Sequence, residues 1–503
     1  MLGRKQFEDR LVTVTLEALV PEDDFLRRVE RVVDFSFIVP LVIFRYSRRG
    51  RRSIDPVVVI KILLIGYFNG ITSERRLMRE IRVNLSYRRF VGYHLDEAIP
   101  DHSTLTKVRA RLGQVIFQQI FDDIVRQCIR AGLVKGEHLS FDCTLVEADA
   151  SLASMVPRMT VLKFTKEVFE TNPTEAPPVK EVGTEAAPQQ ATLKLLPPPA
   201  DDGAIKRKRS PPLSNDTHVS ETDPDAALGK ARTCDMSRLC YKDDIAVDSE
   251  HRIILGCHAL SGNKDEGEQL PRHLSEIKSR FGITPAEVSA DTKYGTEKNY
   301  KETEDQGIEA FIPIRKSGEN TVTGLFAMDK FAYDETTDIV TCPAGQTLRP
   351  KPNLVENKYR LFCAERATCE KCPLRAKCTK LGKTRRIGRT ISISVNKAYV
   401  DRAKERNRTA KGRRAYAIRK TRPETLFGEG KTIHGLRRAR WRGLANVHIQ
   451  FLLTAMAQNI KRMVVLLAGG CRAVVEAAAR MDLATQVLML ILRFSRWRGF
   501  RNR

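Results

Sequence analysis

Three acidic residues have the types and settings that metal-assisted phosphodiester chemistry needs. Asp142 sits inside His138-Leu-Ser-Phe-Asp-Cys-Thr-Leu-Val146, a run that reads as a β-strand. A carboxylate amid Phe141, Leu145 and Val146 is costly to bury unpaired, which favours a working role over a bond to a neighbouring amide. Glu147 and Asp149 are nearby acids at the strand's end, where solvated carboxylates are ordinary. Asp291, in Ser289-Ala-Asp-Thr-Lys-Tyr-Gly295, closes a short strand before a glycine turn. Strand ends of this kind hold the sites of α/β proteins, although an Asp there also suits a helix N-cap. Glu424 lies in a basic helical stretch with Tyr416, Arg419, Arg422 and Lys431 around it at near-helical spacings. Thr421-Arg-Pro-Glu424 is also the pattern of a capping box, with Pro423 suited to a first helical turn. Glu429 and Glu405 are alternative acids in the same stretch. Two Asp on neighbouring strands and a Glu on a packed helix would surround a pair of divalent cations. Such a pair activates water or a 3′-hydroxyl and stabilises the leaving oxygen, and carboxylate and phosphate oxygens suit Mg2+ or Mn2+.

The elements that must position these acids alternate in type. Strand signals fall at 138–146, 241–247 and 253–259, the last two joined by the hairpin turn Asp248-Ser-Glu-His251. Leu270, Leu274, Ile277 and Phe281 then share one helical face. A strand at 286–290, a short helix after Gly295 and a strand at 308–314 complete the order. That order outlines an RNase H-like sheet whose first and fourth strands each carry an Asp. The expected fold class is α/β: an RNase H-like mixed sheet flanked by helices, with an N-terminal all-helical domain and a Cys-containing insertion.

The N-terminal region, 1–130, reads as a helical DNA-binding domain. Asp55-Pro56 marks a helix start before the apolar run 57–68. Leu77, Ile81 and Leu85 follow, with Arg75, Arg76, Arg79 and Arg82 between them. Pro100-Asp-His-Ser103 is a turn leading to 105–112, which carries Lys107, Arg109 and Arg111. Short basic helices with tight turns fit a helix-turn-helix-like unit. The first part of the catalytic core is expected at 138–154 and 231–315. Between them, 155–230 is rich in Pro, Thr, Glu and Ala and reads as a flexible insertion, with a basic patch at 206–209. Residues 316–400 form the Cys-containing insertion, 401–470 the C-terminal catalytic helices and 471–503 a basic helical tail.

The 503-residue chain carries a formal net charge of +25, which points to a polyanionic partner. DNA is favoured over RNA because aromatic residues are only 7% and no base-stacking motif is evident. A membrane role is disfavoured: 56–68 is broken by Lys61 and too short to span, and the opening Met-Leu-Gly-Arg-Lys does not read as a signal peptide. A cytoplasmic, nucleoid-associated protein is expected. Five of the eleven cysteines lie between Cys342 and Cys378. Cys342, Cys369, Cys372 and Cys378, with Cys363 as a substitute, could give four thiolates to a structural Zn2+. The other reading is a set of reduced thiols in a small β-rich insertion.

Taken in order, several motifs resemble the DDE transposases of bacterial insertion sequences. They are Ile54-Asp-Pro-Val, Pro100-Asp-His-Ser-Thr-Leu, Phe141-Asp142, Thr222-Asp-Pro-Asp-Ala226, Gly262-Asn-Lys-Asp265, Ala290-Asp291 to Tyr294-Gly295, Cys342-Pro-Ala-Gly and Gly435-Leu-Arg-Arg-Ala-Arg-Trp-Arg-Gly443. The resemblance covers most of the chain. It implies that Asp142, Asp291 and Glu424 form a metal-binding DDE triad. It also implies that Tyr416, Arg419 and Lys431 grip element-end phosphates, a task that suits an always-charged Arg fork. One residue more than in the family signature separates Arg419 from Glu424, so Lys420 has the expected spacing. Arg422, Arg437 and Arg438 join the expected DNA contacts. The expected activity is metal-dependent cleavage at element ends and strand transfer into target DNA, by a homodimer or higher oligomer on DNA. The alternatives are a nuclease without strand transfer and a non-catalytic DNA-binding protein derived from a transposase.

Overall fold

Capping chemistry starts the N-terminal helices where the sequence suggests. Asp55 accepts the Val57 amide and Pro56 opens the helix Pro56–Phe68, whose side chains from Ile62 to Phe68 are all buried. Ser73 caps Glu74–Val83 and Asn84 caps Leu85–Val91. Arg75, Arg76, Arg79 and Arg82 remain exposed along the first of these. The helix after Pro100 is far longer than its basic start suggests. It runs Ser103–Arg130, with a break at Gly113, whose φ of 68° is the left-handed conformation that glycine tolerates. The computed structural model describes residues 13–47, 49, 53–158, 213–230, 236–314, 325–326, 328–350, 359–379 and 388–467. The basic patch at 206–209 and the tail 471–503 lie outside the described residues.

The central sheet begins with β1 (His138–Glu147). β2 (Met155–Pro157) and β3 (His218–Ser220) pair with each other across the segment between them. β4 (Ala227–Gly229), β5 (Arg238–Asp248) and β6 (Ile254–Ser261) follow, then β7 (Glu287–Ser289) and β8 (Glu309–Phe311). One edge of β5 pairs with β6 and β4; the other starts the order β5-β1-β7-β8. The β6, β5 and β1 strands are antiparallel, while β1, β7 and β8 are parallel. This is a mixed α/β sheet with the strand order of an RNase H-like fold. The ends of 155–230, read from composition as an insertion without a core, differ from that expectation. Residues 155–158 and 213–230 contribute β2, β3 and β4, and Asp223 is fully buried.

Helix Gln269–Phe281 covers one face of the sheet, with Leu270, Leu274 and Ile277 buried. Helix Ala410–Thr432 packs against β1, β7, β5 and β8. The helix at 444–467 borders β6, where Asn459 accepts the Ile254 amide at 2.9 Å and donates to its carbonyl at 2.9 Å. One continuous apolar core joins this sheet to the N-terminal helices. A separate small core lies under the antiparallel sheet of β9 (Ala332–Asp334), β10 (Ile339–Thr341), β11 (Thr347–Pro350), β12 (Tyr359–Cys363) and β13 (Thr390–Ser394). Among the described residues no helix is long and apolar enough to cross a membrane.

Candidate active site

Strand register brings two of the three acids together. β1 pairs in parallel with β7, matching Ser140 to Ser289. Asp142 lies two residues further on within β1, and Asp291 two residues further on, just past the end of β7, close enough for its charge to act on Asp142. Asp142 is buried in the middle of β1, 7% exposed. Its Oδ1 accepts the Cys143 amide at 2.9 Å and meets the Arg419 guanidinium at 2.9 Å. Burial pushes its carboxyl up to about 6 against the pull of Arg419, and the charge of Asp291 adds to the upward push. Asp291 is more open and also caps the turn Thr292–Tyr294, accepting the Lys293 amide at 2.8 Å. The capping use read from sequence is therefore present, at the same residue that neighbours Asp142.

The third acid sits on the helix laid across these strands. Thr409 caps that helix at Ala410, accepting the Gly412 amide at 3.0 Å. Thr421 consequently has no capping task; its hydroxyl bonds the Ala417 and Ile418 carbonyls. Pro423 is buried inside the helix, and Glu424 is an exposed mid-helix residue. The capping-box pattern misleads here because a stronger start lies upstream. Glu429, the alternative acid, points into a structural network: its carboxylate meets His434 at 3.2 Å and Arg462 at 2.8 Å. Although burial opposes it, these partners hold its carboxyl down at about 2. Glu405 is exposed on the preceding helix Lys397–Arg408.

The basic residues divide by reach. Lys431 donates to the Thr144 hydroxyl at 2.6 Å, two residues along β1 from Asp142 and on the same face. Burial, and then Arg437, lower its pKa. Lys420, which has the family spacing, turns away, its ammonium 5.3 Å from the centre of the half-exposed Tyr416 ring. Arg422 lines a cavity of about 340 Å3 with Arg252 and Thr425. Arg437 donates to the Lys431 carbonyl at 3.2 Å, and Arg438 pairs with Asp149 at 3.1 Å. The backbone here joins the sheet, since the Glu147 amide donates to the Arg437 carbonyl and the Ala439 amide to the Glu147 carbonyl.

Sequence reading did not single out Asp243, nor the packing role of the Thr222–Ala226 motif. Asp243 faces Thr144 across the β1–β5 ladder, and burial pushes its carboxyl up to about 7. Alternation along β5 could have shown it sharing the face of Asp142. Asp223 accepts the Tyr241 hydroxyl at 2.6 Å and the Gly443 amide at 3.1 Å. Asp225 accepts the Leu444 amide at 2.8 Å. The Thr222–Ala226 motif thus anchors the start of the helix at 444–467, where an anion also meets the positive helix end.

Cys342, Cys369, Cys372 and Cys378 line one cavity of about 30 Å3 in the small sheet domain. Cys363 is not among its lining residues and instead lies 3.9 Å from the Thr390 hydroxyl. All five are free thiols. Among the described residues no three His, Cys, Asp or Glu side chains are arranged to hold a metal ion, which holds for this quartet and for the three acids alike.

Known proteins resemble the two ends of the chain. Residues 14–111 match the family model described as "Transposase domain (DUF772)", and residues 341–464 match "Transposase DDE domain". A cryo-EM structure of a piggyBac transposase synaptic complex with hairpin DNA is 9% identical, aligned over 88% of this chain and 74% of that chain, with a TM-score of 0.32. No curated protein matches the chain.

Proposed function

Since the chain belongs to the DDE transposases of insertion sequences, we propose that it cleaves phosphodiester bonds at element ends and joins the freed 3′-hydroxyl to target DNA. The observation that supports this reading is Asp142 on β1 and Asp291 just past the end of the neighbouring β7, with the basic helix bearing Glu424 packed against both strands. Asp142 and Asp291 fit divalent cations by their chemistry: two neighbouring hard carboxylates, one buried, whose mutual repulsion a cation relieves. Together with Glu424 they would hold Mg2+ or Mn2+, which when bound would activate the attacking oxygen and stabilise the leaving one. Tyr416, Arg419, Arg422 and Lys431 line the path of the phosphates, with Arg437 and Arg438 extending it along the end of β1. Phosphate contacts of this kind fix register and orientation on DNA.

The exposed arginines of the helix Glu74–Val83 hold element-end DNA, and a homodimer or larger assembly on cytoplasmic, nucleoid DNA brings two ends together. In the small sheet, Cys342, Cys369, Cys372 and Cys378 line one cavity and would supply four thiolates to a structural Zn2+ once drawn together around it. Metal analysis of purified protein should then find one zinc per chain, lost in Cys372→Ser.

The deciding assay uses a duplex bearing the element's own termini, with Mg2+ or Mn2+. Asp142→Ala, Asp291→Ala and Glu424→Ala each abolish cleavage while DNA binding survives. Pre-cleaved ends joined to a target separate strand transfer from simple hydrolysis. Cleavage that persists in all three variants would leave only a DNA-binding protein.

A further inference from the structure

Resting on the assignment of Asp142 and Asp291 as metal ligands, we propose that Arg419 is the protein's own counter-ion at Asp142, which a divalent cation must displace in order to bind. The Arg419 guanidinium lies 2.9 Å from Asp142 Oδ1, and both side chains are largely withdrawn from solvent, at 12% and 9% exposure. A buried carboxylate beside a second one needs a compensating charge, and Arg419 supplies it. Lys431, a second cation on this face, is committed to Thr144, and Lys420 to the Tyr416 ring.

The same geometry makes Arg419 a competitor. An arginine does not discharge at accessible pH, so it cannot yield by losing its proton. A dication held by Asp142 and Asp291 would face that fixed charge on the same carboxylate, and the guanidinium would have to move away. Its Nε is buried with no hydrogen-bond partner, so the ion pair through an Nη atom is the polar contact that this movement breaks. The donors released are the planar fork that matches a phosphate. Metal entry and phosphate capture are thereby coupled through one side chain.

The test measures Mn2+ affinity of the full-length protein without DNA, by electron paramagnetic resonance of the free ion. Circular dichroism and thermal melting check that each variant is folded. Arg419→Gln should bind Mn2+ on the order of tenfold more tightly, since one charge-assisted hydrogen bond no longer competes. Arg419→Lys keeps the charge and should stay near wild type. Folded Arg419→Gln with unchanged or weaker affinity overturns the proposal, as does Arg419→Lys that binds as tightly as Arg419→Gln. Asp142→Asn should weaken binding in both backgrounds. If Asp142→Asn leaves Mn2+ affinity unchanged, the ligand assignment itself falls, an outcome distinct from a failure of Arg419 to compete.

Discussion

Asp142 lies two residues beyond Ser140 within β1, and Asp291 lies two residues beyond Ser289, the parallel partner of Ser140, just past the end of β7. The strand pairing that brings the two segments side by side is made by the backbone, so it does not depend on either side chain being loaded. Burial and the mutual charge push the Asp142 carboxyl up to about 6, while Arg419 partly compensates. The helix Ala410–Thr432 supplies that compensation and carries the third acid. Consequences for function and stability separate cleanly by residue.

Glu424 and Glu429 should differ in kind. Glu424 is exposed, so Glu424→Gln should leave stability within about 0.5 kcal/mol of wild type while abolishing cleavage. Glu429→Gln should cost roughly 2–3 kcal/mol because it strands His434 and Arg462. The Glu429 carboxyl is held at about 2, so its contribution is complete above pH 4.5 and is lost as the pH falls through about 2. Chemical denaturation and end cleavage on both variants check the contrast.

His448 should make stability fall in mild acid. It is buried, its Nδ1 accepting the Ala259 amide at 3.2 Å and its Nε2 facing Gln118 at 3.2 Å. Burial first, then Arg272 and Arg280, lower its pKa from 6.5 to about 4. Below 6.5 the unfolded chain takes up the proton before the folded one does. Stability should therefore drop between 6.5 and about 4, by about 2 kcal/mol from pH 7 to pH 5 on account of this residue. Denaturant melts at those two pH values should show a smaller drop in His448→Gln.

The Asp223–Asp225 anchor should matter for stability without touching DNA chemistry directly. Asp225→Ala removes one cap from the helix at 444–467 and should cost about 1 kcal/mol. Asp223→Ala strands the buried Tyr241 hydroxyl and the Gly443 amide and should cost more, about 2–3 kcal/mol. Thermal melting ranks the two.

Much of the core was legible because the signals are local. Alternation and turns marked the strand that carries Asp142 and the one that leads to Asp291, and Asp55-Pro56 marked a helix start that the structure keeps. What local reading could not supply was register and reach. No sequence rule sets Ser140 opposite Ser289, nor says that Arg419 rather than Lys420 turns toward β1; the rotation between successive helical residues decides that. The capping box at Thr421 misled because Thr409, twelve positions upstream, already starts the helix. Asp243 escaped notice because its partner Thr144 is distant in sequence and meets it only through the β1–β5 ladder. Asp223 and Asp225 belong to a motif visible in the sequence, but their capping role was not, because Leu444, whose amide Asp225 accepts, lies 219 positions away.

The most direct measurement of the central claim replaces each acid by a softer ligand. Asp142→Cys and Asp291→Cys should fail to cleave element-end DNA with Mg2+ and should recover cleavage with Mn2+, which accepts a thiolate more readily. Full cleavage with Mg2+ in either variant, or no recovery with Mn2+ in both while DNA is still bound, would contradict a shared metal site at Asp142 and Asp291.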